Sequence, residues 1–201
     1  MSEAALLLQK RETYTVDDLF AMPDDGRRYE VFGGALHVSP APATMHQIAI
    51  SKLDRLLGPI VEPLGALSVP GVAVRVSDED GPIPDLAVIG RYAGDLGGPV
   101  PLDMVYTTVE VVSPSSTLMD RTLKPALYGD AGIPCYWRVE LKPTRKYKGP
   151  LPLVVVRVAD GDGWRTVEAA AGTVADLPVA VGPKADDLIT IQLDPGTLVD
   201  L

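Results

Sequence analysis

The chain has 201 residues, 46% of them hydrophobic, and a formal net charge of −9 from 18 Lys and Arg against 27 Asp and Glu. That length suits one domain; no apolar run approaches the ~20 residues that span a bilayer, and Leu6-Leu7-Leu8 lacks the basic lead of a signal peptide, so a cytoplasmic protein without a membrane partner is expected. The single cysteine, Cys135, excludes an intrachain disulfide and a thiolate zinc cluster, and the negative charge opposes loose attraction to nucleic acid without opposing acids gathered around a cation.

Residues 1–12 fit no pattern and read as a flexible N-terminal arm. A single domain is expected over 13–201, with a core over about 13–143 and a β-rich C-terminal extension over about 151–201. Thr15 with Asp18 three residues later is a capping-box start, and the helix should end near Met22, before Pro23. Two short strands, 28–32 and 35–39, flank Gly33-Gly34, a hairpin signal. The longest helical pattern covers 44–62, where Ile48, Ile50, Leu53, Leu56, Leu57 and Ile60 form one broad apolar face. Gly58-Pro59 should fray or kink its last turn. Strand patterns follow at 66–69, 72–76, 85–89 and 104–112, then a helix over 118–131 ended by Gly132 and Pro134, and a strand at 136–141. Residues 144–150 are basic and turn-like. The Val-rich remainder is strand-like, with a hairpin turn at Gly161-Asp162-Gly163. The order suggests an α/β (α+β) fold, a mixed sheet flanked by helices.

Two carboxylates stand out. Glu110 shares a strand face with Tyr106, Thr108 and Val112, while Val105, Val109 and Val111 lie opposite. A strand apolar on both faces is central, and an ionised carboxylate there needs a cation or must protonate. Asp85 heads a second apolar run directly after Pro84. If the two strands are neighbours, the carboxylates converge. Magnesium takes oxygen ligands at ~2.1 Å, one or two of them carboxylates. The plainer alternatives are a strand-end cap for Asp85 and a simple ion pair for Glu110.

The residues Arg28-Tyr29-Glu30, His46, Pro84-Asp85, Glu110-Val111-Val112-Ser113-Pro114-Ser115, Asp120, Lys124, Tyr128, Gly132 and Tyr136-Trp137 occur in one order. Together they resemble the Uma-two family of restriction-endonuclease-like proteins, within the PD-(D/E)XK nuclease superfamily. The likeness spans about two-thirds of the chain. It implies a restriction-endonuclease-like mixed sheet with flanking helices, extended here by extra C-terminal strands. It also implies metal-dependent endonuclease hydrolysis of DNA phosphodiester bonds, with Mg2+ or Mn2+ as cofactor. Carried over, Asp85 and Glu110 are metal ligands, the Val111 carbonyl supplies another, and Glu30 is an additional acid that holds the metal directly or through water. Where the superfamily places a lysine two residues after the glutamate, this chain has Val112. Its substitute is Lys124 in the following helix, which completes a catalytic set of Asp85, Glu110 and Lys124.

Asp120 and Lys124, four apart, share a helix face, so a surface ion pair is the plain alternative for Lys124. His46 reads as a supporting residue near phosphate or metal, or as an exposed residue of the helix start. The family often shows Asp-Gly-Glu in the first hairpin, where this chain has Gly33-Gly34-Ala35, and Glu before Tyr-Trp, where it has Cys135. Cys135 and His37 read as structural. Of Tyr136 and Trp137, one should pack in the core and the other near the site or an interface. Arg145, Lys146 and Lys148 form a basic turn, either a nucleic-acid contact or a solvated tip. A homodimer is expected, as suits cutting two strands, with the Val-rich C-terminal strands as its interface. Two rivals stand beside the DNA nuclease: an inactive nuclease-fold scaffold that binds a partner, and a metal-dependent hydrolase of a small phosphorylated substrate.

Overall fold

The structure is a computed structural model that describes residues 13–113, 116–161, 163–184 and 186–200. The expected N-terminal arm, Pro114-Ser115 of the motif and Asp162 of the last hairpin turn lie outside the described residues. The chain order is α1 (Val16–Leu19), β1 (Arg28–Phe32), β2 (Ala35–Ser39), α2 (Thr44–Val61), β3 (Ala66–Pro70), β4 (Val74–Arg75), β5 (Leu86–Gly90), β6 (Val100–Pro101) and β7 (Val105–Val112). A π-helical segment, Met119–Leu123, then leads into α3 (Lys124–Asp130), followed by β8 (Cys135–Glu140), β9 (Leu153–Asp160), β10 (Gly163–Ala170), β11 (Ala175–Ala180) and β12 (Leu188–Leu193).

Six strands form one mixed sheet in the order β10-β9-β8-β7-β5-β3. Only β7 and β8 run parallel in it. The apolar run of β7 earns it a central place. Val109 and Val111 enter the core on one face, with Ala49, Leu53, Leu57 and Val61 of α2. These helix positions recur every four residues, so one stripe meets the sheet. Full burial of a leucine such as Leu53 or Leu57 stabilises the fold by about 1.5–3 kcal/mol. The β11–β12 hairpin closes the same layer through Leu177, Val179, Ile191 and Leu193. On the opposite face Ala87, Ile89, Tyr128, Ile133 and Tyr136 form a second cluster. No described helix is long and apolar enough to cross a membrane.

Several expectations need correction. The helix expected over 118–131 is interrupted. Lys124 N–H bonds the carbonyl of Met119, five residues back, and Pro125 stands second in α3. Proline has no N–H to give the preceding turn, and the carbonyl of Asp120 accepts the Tyr136 hydroxyl instead. The first helix is one turn long. The strand expected over 72–76 shrinks to Val74–Arg75, because Val76 and Ser77 N–H turn back onto the Asp80 carbonyl. Proline 59 sits inside α2, which continues to Val61.

The Gly33-Gly34 hairpin forms as expected, with φ of 53° and 73°. A Cβ on Gly34 would also lie 2.2 Å from the Thr13 methyl. Tyr136 and Trp137 do alternate faces, but both are core residues, one in each cluster. Val154, Val155, Val156 and Val158 of β9 are buried within the protomer, so these valines offer no surface to a second copy.

Candidate active site

Three strands and two helices aim polar side chains into one cleft of about 420 Å³. Its lining includes Arg28 and Glu30 from β1, His46 from the first turn of α2, Asp85, Glu110 from β7, Asp120 and Lys124. Register brings the two central acids together. β5 pairs antiparallel with β7 so that Leu86 faces Val109. Asp85, one residue earlier, therefore meets the next part of β7, and its Oδ2 accepts from Val111 N at 2.8 Å. In an extended strand the N–H and C=O of one residue leave on the same edge. The Val111 carbonyl thus lies on the Asp85 edge of β7.

The other Asp85 oxygen, Oδ1, takes Arg28 Nη1 at 2.6 Å. His46 Nε2 lies 3.3 Å from it, a contact short of a hydrogen bond, and neither ring nitrogen makes one elsewhere. Lys124 Nζ sits 3.0 Å from both Glu30 Oε1 and Glu110 Oε1. Tyr128 donates to Glu110 at 2.9 Å, and Ile83 N donates to Glu30 at 2.8 Å. Ser116 donates to Asp120 Oδ2.

All six expected side chains thus have defined places, as does Val111, whose N–H bonds Asp85. Glu30, His46, Asp85, Glu110, Asp120 and Lys124 are buried around the cleft. The surface pair of Lys124 with Asp120 does not form: Lys124 is 2% exposed and turns to Glu110 and Glu30. Nor is His46 an exposed helix-start residue. His37, expected to be structural, is exposed on the cleft rim, edge-on to Phe32. Arg28, Ser116 and Tyr128 were missed. Arg28 and Tyr128 stood among the residues of the family resemblance, which was a usable signal; Ser116 had none.

Residues 16–182 match the family model named Uma2 and described as "Putative restriction endonuclease". The chain belongs to the Uma2 (Uma-two) family. Its structure is similar to that of "a putative nuclease belonging to DUF820" from Anabaena variabilis, at a TM-score of 0.66 and 16% identity, over 92% of this chain and 98% of that one. At that identity the likeness establishes a shared fold. No curated protein matches the chain.

Within this Uma2 cleft the charges do not balance. Glu30, Asp85, Glu110 and Asp120 face two fixed cations, Arg28 and Lys124. Burial alone would raise the Asp85 carboxyl, but the His46 contact and the Arg28 charge overcome it and bring it down to about 2. Burial works against the Lys124 ammonium, yet Glu110 and Glu30 raise its pKa further above the usual lysine range. These neighbours favour its ammonium form. Burial pushes Glu110 well above the ordinary carboxylate range; Lys124 opposes this, while Asp85, Asp120 and Glu30 add to it. Burial likewise lifts Asp120 to about 6, against Lys124 and Ser116. Two carboxylates exceed the available positive charge, and Glu110 and Asp120 are the two that resist ionisation.

That surplus is what a divalent cation would neutralise. The donors are all oxygen, which suits magnesium or manganese. Among the described residues, no three Asp, Glu, His or Cys side chains are grouped to hold an ion. Magnesium commonly needs only one or two carboxylates, the rest of its shell being water and substrate oxygen. In donor chemistry and charge, Asp85 and Glu110 with the Val111 carbonyl fit such an ion.

Proposed function

We propose that this Uma2 protein is a metal-dependent endonuclease that hydrolyses DNA phosphodiester bonds within the cleft of Asp85, Glu110 and Lys124. What carries the reading is a buried lysine set between two buried carboxylates beside Asp85, in a chain of this family. Asp85, Glu110 and the Val111 carbonyl would hold Mg2+ or Mn2+, with Glu30 as an outer acid. The ion, when bound, supplies a water of lowered pKa and a counter-charge for the phosphate.

The chain's own groups divide the remaining work. Lys124 keeps its proton, so it does not act as a base; it donates to a phosphate oxygen or orients the attacking water. Glu30, fixed by Ile83 N, holds Lys124 in place. Tyr128 fixes the Glu110 carboxylate. Asp85 is ionised at neutral pH and anchored by Val111 N. Asp120 adds negative potential from the helical side of the cleft. His46 walls Asp85 from solvent.

The test is cleavage of supercoiled and linear DNA with magnesium by the wild-type protein and by Glu110→Ala. Equal cleavage by both rules out this site, and a small phosphodiester outcompeting DNA points to the small-substrate hydrolase. The net charge of −9 favours a second reading, a nuclease fold kept as a partner-binding scaffold. Calorimetric titration separates the two: a scaffold has no need to bind magnesium or manganese at Asp85 and Glu110. A homodimer belongs to the same proposal, and light scattering that returns the monomer mass ends it.

A further inference from the structure

The sequence is acidic, but its charge is unevenly spread. Residues 141–159 hold five of the 18 Lys and Arg and none of the 27 Asp and Glu. The rest of the chain carries 13 cations against those 27 acids, a net charge of −14. Four of the five cations, Lys142, Arg145, Lys146 and Lys148, fall in the loop between β8 and β9, and all four are exposed. No described acidic side chain pairs with any of them.

The loop has a defined shape. Thr144 Oγ1 accepts from Lys146 N at 3.1 Å and from Tyr147 N at 2.8 Å, and the Tyr147 hydroxyl donates to the Pro150 carbonyl at 2.9 Å. These bonds tie the backbone inward and leave the charged side chains to solvent. A solvated turn needs no such bias in sign, since acids would serve solubility as well.

Its position links it to the cleft. β7 and β8 are parallel neighbours, and Val112 faces Glu140. Both strands end at the same edge of the sheet, β7 just past Glu110 and β8 at the start of the basic loop. Glu140, the last acid before the loop, is buried and neutralised twice. Arg121 grips it at 2.6 and 2.8 Å, and Arg138 lies 3.1 Å away. Arg121 itself follows Asp120 of the cleft. The β8–β9 loop therefore brings four exposed cations to the end of the sheet at which β7 stops, two residues past Glu110.

We propose that the loop of Lys142, Arg145, Lys146 and Lys148 is a DNA-backbone binding surface that flanks the cleft and holds phosphates away from the scissile bond. This rests on the nuclease reading for its partner. Phosphate contacts of this kind position the polymer and carry no sequence information. The local positive field also resolves how an acidic protein would take a polyanion: attraction is confined to one edge.

The experiment uses full-length protein carrying Glu110→Gln, with and without Arg145→Glu, Lys146→Glu and Lys148→Glu together. Binding of a labelled short DNA duplex, and of its single strand, is read by fluorescence anisotropy in magnesium between 50 and 200 mM salt. A melting temperature equal to the parent's shows that the exposed loop changes leave the fold intact. Loss of three backbone contacts should lower the slope of log K against log salt by roughly 2.7, which is about forty-fold less salt sensitivity over that range. Affinity at low salt should fall by more than about tenfold. Three contacts change the single-strand slope by only roughly 2.1, so the ligand is read from affinity: a larger loss on the duplex identifies duplex DNA, and a larger loss on the single strand identifies single strands.

Unchanged affinity and slope overturn the proposal, as does failure of the parent to bind DNA at all. Cleavage is measured separately on the chain with native Glu110. Loop-dependent binding without any cleavage sinks the nuclease reading and keeps this surface. Cleavage with loop-independent binding does the opposite.

Discussion

Asp120→Asn should stabilise the metal-free protein at neutral pH. Asp120 is 2% exposed, and burial lifts its carboxyl from 3.8 to about 6. Its folded pKa lies above the unfolded one, so the fold binds this proton more tightly. The stabilisation is complete below about pH 4 and is lost as pH rises through about 6. Holding the ionised group in place at pH 7 costs about 3 kcal/mol. Asparagine has nearly the same shape, cannot ionise, and still accepts from Ser116 through its amide oxygen. In chelator, Asp120→Asn and wild type should melt together near pH 4. By pH 7 the variant should melt higher by up to about 6–12 °C, given the size of the domain. Thermal melts followed by circular dichroism at several pH values measure this directly. Parallel melting curves from pH 4 to 7, or a wild type favoured at pH 7, would show that Lys124 fully compensates Asp120 and that the cleft holds no surplus charge.

Lys124→Met leaves Glu30 and Glu110 buried without their cation, and should cost about 3–5 kcal/mol at pH 7 in denaturant titrations. The loss should shrink toward pH 5, and DNA cleavage should vanish. Asp85→Asn removes a carboxyl held at about 2, whose stabilisation is present above about pH 4 and lost as pH falls through about 2. The variant should be less stable than wild type at pH 7 by about 2 kcal/mol, with the gap closing in strong acid; a gap independent of pH contradicts the Arg28 pairing. Trp137→Phe deletes the indole bond to the Pro178 carbonyl at 2.9 Å. That bond ties the sheet to the β11–β12 hairpin, so the change should cost about 1–3 kcal/mol and leave the Pro178 carbonyl only the weaker Cys135 thiol at 3.5 Å. Hydrogen exchange should quicken in Ala175–Ala180; unaltered exchange there would show that the hairpin docks without this bond.

Much of the site was legible in the residues themselves. Glu110 inside a valine run, and Asp85 at the head of another apolar run, mark acids in places where an ionised carboxylate needs a partner. The long helix, the glycine hairpin and the central strand followed from periodicity, because side-chain period and turn conformation are local properties. The family resemblance added Lys124, His46 and Glu30, which spacing alone did not single out.

Tertiary structure decided the partners. Arg28 reaches Asp85 across 57 positions, and Lys124 reaches Glu30 across 94. Helical spacing paired Lys124 with Asp120, but the π-turn ahead of Pro125 and the depth of the cleft turned the ammonium to Glu110 instead. The Val-rich tail looked like an interface and became the protomer's own sheet and core, since β9 pairs with β8 and β11 covers the same layer. A sequence fixes which faces are apolar and where charge is costly. Which charges then meet depends on strand register and on the packing of distant elements, and no local pattern encodes either.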